Sequence, residues 1–122
     1  MLLEHTGHPD DPAGLHYDLL LEGADDCQTW RLTEIPLIDG PPVGAASLPP
    51  HRLAWLDTES GEVSGGRGFA RRVAAGHYER LSNGLDASDP AAASTLIRLT
   101  SSPLAGILEI TATGHAIRRP PA

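Results

Sequence analysis

A chain of 122 residues suffices for one domain with one core, and its 13 glycines and 11 prolines favour many turns over long helices. Sixteen acidic residues against nine arginines and no lysine give a formal net charge of −7, which excludes broad electrostatic capture of a polyanion but not a small basic pocket for one phosphate. The lack of lysine also excludes Schiff-base catalysis, a Walker-type phosphate loop and lysine nucleotidylation.

Met1–His5 is expected to be the first strand, followed by a Pro/Asp/Gly-rich loop over 6–14 that carries His8. Leu15–Glu22 is the second. Side chains alternate along a strand, so Leu15, Tyr17, Leu19 and Leu21 form an apolar face for the core, and His16, Asp18, Leu20 and Glu22 form the other. Thr29–Thr33 is the third strand. "LIDGPPVGAASLPP", residues 37–50, reads as an irregular, mobile excursion. Arg52–Asp57 reads as a strand with His51, Leu53, Trp55 and Asp57 on one side. Gly65, Gly66 and Gly68 then supply a turn that also holds Arg67. Gly68–Ala74 is a further strand, and "DASDPAAAST" reads as a loop. Thr95–Thr100 and Ile107–Thr113 are joined by "SSPLAG", a hairpin connection. Some seven short strands with such punctuation predict an all-β domain over 1–122, a sandwich or a small, closed or partly open antiparallel β-barrel with irregular loops.

The N-terminal stretch has no basic leader and no stretch of the chain nears the roughly 20 apolar residues of a membrane span. Cys27 is the single cysteine, so no internal disulfide can form. A soluble, cytoplasmic protein with no membrane partner is expected.

The first chemical signal is His16 and Asp18. On one strand face their β-carbons lie roughly 7 Å apart, close enough for both heads to reach one ion. An isolated His-x-Asp is ordinarily a solvated strand face, and the neighbours change that reading. If "LLEH" pairs antiparallel with Leu15–Glu22, His5 lies beside His16 across the pair. Two imidazoles and a carboxylate leave positions open for water or substrate, and this donor set suits Zn²⁺, Mn²⁺ or Fe²⁺. His8 is a rival third ligand, ranked lower because "PDDP" follows it. The second signal is His51 with the glycine-rich turn and Arg67, a combination able to hold a phosphate but more often a plain hairpin.

"HYD" and "LE" within His16–Glu22, "TW" at Thr29–Trp30, "LDTESGEVSGGRG", and "GHYE" at Gly76–Glu79 occur in this order. Together they resemble the 3′-phosphoesterase domain of bacterial DNA ligase D and its short stand-alone relatives. The resemblance covers residues 1 to about 80. It implies a compact β-barrel enzyme that uses a divalent metal, typically Mn²⁺, to remove a 3′-ribonucleotide and then a 3′-phosphate from DNA ends; for this donor set Zn²⁺ is the alternative. Under it His16 and Asp18 match metal ligands, and His5 matches the upstream histidine ligand. His51 matches the histidine facing the scissile phosphate, and Trp55 stands in place of a tyrosine. Glu22 and Asp57 match acidic positions that support the site.

The chain also departs from the pattern. Leu20 occupies the place of an arginine that contacts phosphate in the family, and the stretch before His51 lacks another. Arg67 or Arg31 is the candidate replacement. The expected function is therefore metal-dependent phosphoester hydrolysis at a nucleic-acid 3′ end, in the company of DNA end-joining proteins. The alternatives are a degenerate metal- or nucleotide-binding accessory module, and a phosphoesterase for a small phosphoester.

Overall fold

The structure, a computed structural model, describes residues 1–7, 9, 14–63, 66, 68–82, 94–100 and 104–121. In chain order come β1 (Leu2–Thr6), β2 (Leu15–Glu22), β3 (Cys27–Leu32) and β4 (Val43–His51). A short 3₁₀ helix (Leu53–Asp57) follows, then β5 (Ser60–Glu62), β6 (Phe69–Ala74) and β7 (Tyr78–Ser82). β8 (Ser94–Leu99), β9 (Gly106–Thr111) and β10 (His115–Arg119) complete the order. Neighbouring strands pair antiparallel in one ten-stranded sheet, ordered β5-β6-β1-β2-β3-β4-β10-β9-β8-β7. Leu2 and Leu19 of β1 and β2 share a buried cluster with Ile97 and Leu108 of β8 and β9, so the sheet wraps around that core. Its ends, β5 and β7, do not pair, which leaves a partly open barrel. The all-β expectation is met. No helix among the described residues is long and apolar enough to cross a membrane.

β2 is buried on both faces. Leu19 and Leu21 point into the main core with Trp30 and Leu32 of β3. Leu20 points the other way and packs with Leu3 and Cys27 under Leu53, Trp55 and Leu56 of the 3₁₀ helix. Burial of a leucine such as Leu20 contributes roughly 2 kcal/mol. The helix is tied down from β6: the Arg72 guanidinium donates to the Leu56 carbonyl at 2.9 Å and to the Thr58 carbonyl at 3.0 Å.

Two expectations need correction. Residues 37–50 are not all irregular: Val43–His51 is β4, in register with β3. Its prolines, Pro49 and Pro50, fall where the β3–β4 register shifts, and β10 pairs only with Val43 and Gly44. Neither proline is therefore asked for a ladder N–H, the condition under which proline is tolerated in a sheet. Arg52–Asp57 is not a strand. Hydrogen bonds from Trp55 N–H to the Arg52 carbonyl and from Thr58 N–H to the Trp55 carbonyl close it into 3₁₀ turns, and Leu53, Trp55 and Leu56 face the sheet at a spacing that period two does not give. β5, β7 and β10 are strands beyond those the sequence pattern predicts, and β9 stops at Thr111, where a turn closes through Gly114 at φ +94°.

Candidate metal centre

The site begins with register. β1 and β2 pair so that His5 stands opposite His16 and Leu3 opposite Asp18. Gly7, at φ +71°, and Gly14, at φ +75°, flank the connecting loop and join through a Gly7 N–H to Gly14 carbonyl bond of 3.2 Å. Only glycine enters that left-handed region cheaply, so this pair closes the ladder just past Thr6 and Leu15, one pair beyond His5 and His16. β3 adds Arg31 directly opposite Asp18. Four side chains from three adjacent strands thus project from one face of the sheet.

They converge. The imidazole centroids of His5 and His16 are 4.7 Å apart. His5 Nδ1 lies 3.7 Å from Asp18 Oδ2, and His16 Nε2 lies 3.6 Å from Asp18 Oδ1. One donor atom from each of the three residues falls within 4.8 Å of the others, and all three are buried, at 8%, 3% and 5% exposure. The two short separations exceed an N–H···O hydrogen bond, which runs about 2.7–3.2 Å. They approach the ~3.0–3.4 Å that separates two donors each ~2.1 Å from one ion at octahedral or tetrahedral angles. Asp18 Oδ1 is buried and accepts no hydrogen bond among the described residues. A buried carboxylate oxygen so placed is costly unless a cation completes it. Two imidazoles and a carboxylate therefore fit a divalent ion, and the buried group could hold one.

Arg31 is the nearest cation among the described residues to Asp18. Its Nε is 4.0 Å from Oδ1, too far for a hydrogen bond, and makes none elsewhere among the described residues. About a third of its side chain is exposed, so the guanidinium is held near the site and still reaches solvent. A cavity of about 300 Å³ opens beside these groups, lined by His5, Asp18, Arg31, His51 and Trp55 among others. His51 ends β4, with Nδ1 3.3 Å from the Pro49 carbonyl, and its ring centroid is 5.9 Å from that of Trp55.

The expected site residues therefore divide. His5, His16, Asp18 and Arg31 come together on the sheet, and His51 and Trp55 line the same cavity from β4 and the 3₁₀ helix. Arg67 and His8 lie outside the described residues. Glu22 is exposed at the far end of β2, and Asp57 is exposed at the end of the 3₁₀ helix; neither lines this cavity. Leu20 does not line it either, because it is fully buried under the 3₁₀ helix. Sequence reasoning missed the apolar wall made by Leu48, Pro49 and Pro50, and the part played by Arg72 in holding the helix that bears Trp55. The only signal for the wall was "LPPH" itself, two residues without N–H donors just before a histidine.

The chain matches no protein-family model, and no curated protein resembles it significantly.

Proposed function

We propose that the protein is a metal-dependent phosphoesterase that acts on the 3′ ends of nucleic acid, removing a 3′-ribonucleotide or a 3′-phosphate in DNA end processing. One observation carries the reading: a buried His–His–Asp group opens onto a cavity that also holds an under-used arginine and a histidine. His5, His16 and Asp18 would hold the ion, with Mn²⁺ proposed and Zn²⁺ the alternative. When bound, such an ion supplies Lewis acidity toward a phosphoryl oxygen. Arg31 supplies a planar fork for the remaining phosphoryl oxygens. A water attacks phosphorus as the bond to the departing oxygen breaks, and His51 is placed to give that oxygen its proton. A cytoplasmic protein working beside end-joining partners accords with the reading.

Leu20 favours a second reading. It stands where the resembled family has a phosphate-binding arginine, and here it is an apolar anchor. A chain that kept the ion site and lost turnover would be a metal- or nucleotide-binding accessory module.

The test is incubation with Mn²⁺ and a primer–template ending in a 3′-ribonucleotide or 3′-phosphate, alongside the variant His16→Ala. Loss of the end group by the intact protein alone supports the first reading. Mn²⁺ binding without turnover supports the second. Failure of the intact protein to bind Mn²⁺ or Zn²⁺ at all defeats both.

A further inference from the structure

The cavity beside the triad has a polar part and a flat apolar part. His5, Asp18 and Arg31 make the first. Pro49, Pro50 and Trp55 belong to the second: the prolines are exposed and Trp55 is half-buried. A site for phosphate alone needs no exposed ring surface at its edge, and apolar surface left open beside charged groups marks a ligand with an apolar portion. Aromatic faces stack on any nucleobase, since every base has a π-face. We infer that this wall receives the base of the terminal nucleotide, while the phosphate lies against Arg31 and the triad. The inference rests on the phosphoesterase reading and narrows it to nucleotide ends, as opposed to phosphoesters that carry no ring.

The platform is pre-set. Trp55 sits on the 3₁₀ helix, whose Leu53 and Leu56 pack with it against Leu3 and Leu20. Arg72 binds two of that segment's carbonyls, at 2.9 and 3.0 Å. The Trp55 ring is tilted 55° to that of His51, so the indole and imidazole do not stack on each other. A cavity of about 300 Å³ is at the lower bound for ligand pockets, which suits one nucleotide better than a duplex end. Because stacking reads no base edge, the wall should be indifferent to which base it receives.

The test uses a matched pair of ligands that cannot be hydrolysed: the 3′-methylenephosphonates of 2′-deoxyadenosine and of 1,2-dideoxyribose, the same sugar without a base. Calorimetry with the Mn²⁺-loaded protein should show the base-bearing ligand bound about tenfold more tightly, the size expected of one base on an aromatic face. Trp55→Leu should reduce that preference to less than about threefold, and Trp55→Phe, which keeps a ring, should restore most of it. Equal binding of the two ligands by the intact protein overturns the wall and leaves the phosphoesterase reading standing, as does a preference that survives Trp55→Leu. Binding of neither ligand overturns the phosphoesterase reading and the wall with it.

Discussion

Asp18 and Arg118 are both buried charges in β-strands, and they are treated in opposite ways. Arg118, in β10, is closed off: its guanidinium donates to the Ala105 carbonyl at 2.8 and 3.1 Å and to the Pro36 carbonyl at 3.2 Å. Asp18, in β2, has its charged or titratable neighbours among the described residues at 3.6–4.0 Å. Both sites pay for desolvation, but only the first repays it within the chain. Hydrogen bonds of ordinary length mark a residue placed for stability. Donors gathered at ligand spacing around a common point mark a place kept open for something else.

Removing each charge should therefore have opposite effects on stability. Arg118→Met would leave the Ala105 and Pro36 carbonyls without their donor, at a cost of about 3 kcal/mol in urea unfolding. The folded variant should still bind Mn²⁺ within about twofold of the parent affinity, because Arg118 is no part of the triad. A variant as stable as the parent would show that Arg118 is not the structural clamp described above.

Asp18→Asn should behave in the reverse way. Without metal it should cost less than about 1 kcal/mol or even stabilise, since it removes a poorly compensated buried charge. With metal it should lose a large gain: an ion at about 100 times its dissociation constant stabilises the parent by about 2.7 kcal/mol. Thermal unfolding with and without Mn²⁺ reads both effects. If the metal-free variant loses as much stability as Arg118→Met, Asp18 is structural after all.

Arg31 refines the same contrast, because it is a partly exposed cation beside the buried carboxylate. Arg31→Met should lower kcat/KM on a 3′-phosphate end about 30-fold, or about 2 kcal/mol of transition-state binding. Stability should move by less than about 0.5 kcal/mol, as for other ion pairs that reach solvent. Arg31→Lys should recover only part of the loss, since an ammonium cannot grip two oxygens from a planar fork. A stability loss without a change in kcat/KM would reassign Arg31 to the support of Asp18.

The alternation of "LHYDLLLE" carries β2, and pairing it with "LLEH" carries the approach of His5 to His16; local pattern and short loop length suffice for both. What covers that face is not local. The 3₁₀ helix over "LAWLD" is held from a distance, by Arg72, some 15 residues on, reaching the Leu56 and Thr58 carbonyls. Over five residues, period two and a tight turn are not distinguishable by hydrophobicity alone. β4 was hidden for a different reason. Its glycine and prolines read as punctuation, and only the register shows that Gly44 pairs with His115 while the prolines sit where no ladder hydrogen bond is needed. Leu20 is a similar case: as a residue type it points to a lost phosphate contact, and in the fold it anchors the cover over the sheet.

The smallest expected effect concerns that cover. Cys27 is buried with Leu3 and Leu20 beneath the 3₁₀ helix. Burial, and after it the nearby Glu22 carboxylate, push its thiol pKa up. A thiol whose pKa is raised on folding keeps its proton while the unfolded chain ionises. Its contribution to stability is therefore complete below the ordinary thiol range and falls as pH climbs through that range toward the folded value. Alkylation of Cys27 at neutral pH should accordingly be slow and should track the opening of the helix rather than the chemistry of the thiol. Arg72→Met, by removing two hydrogen bonds that hold the helix, should speed labelling about fivefold, the equivalent of about 1 kcal/mol, while urea unfolding of the barrel shifts by no more than that. Labelling at the rate of a free thiol in the parent would mean that the helix does not seal this face, and the wall inferred at Trp55 would lose its support.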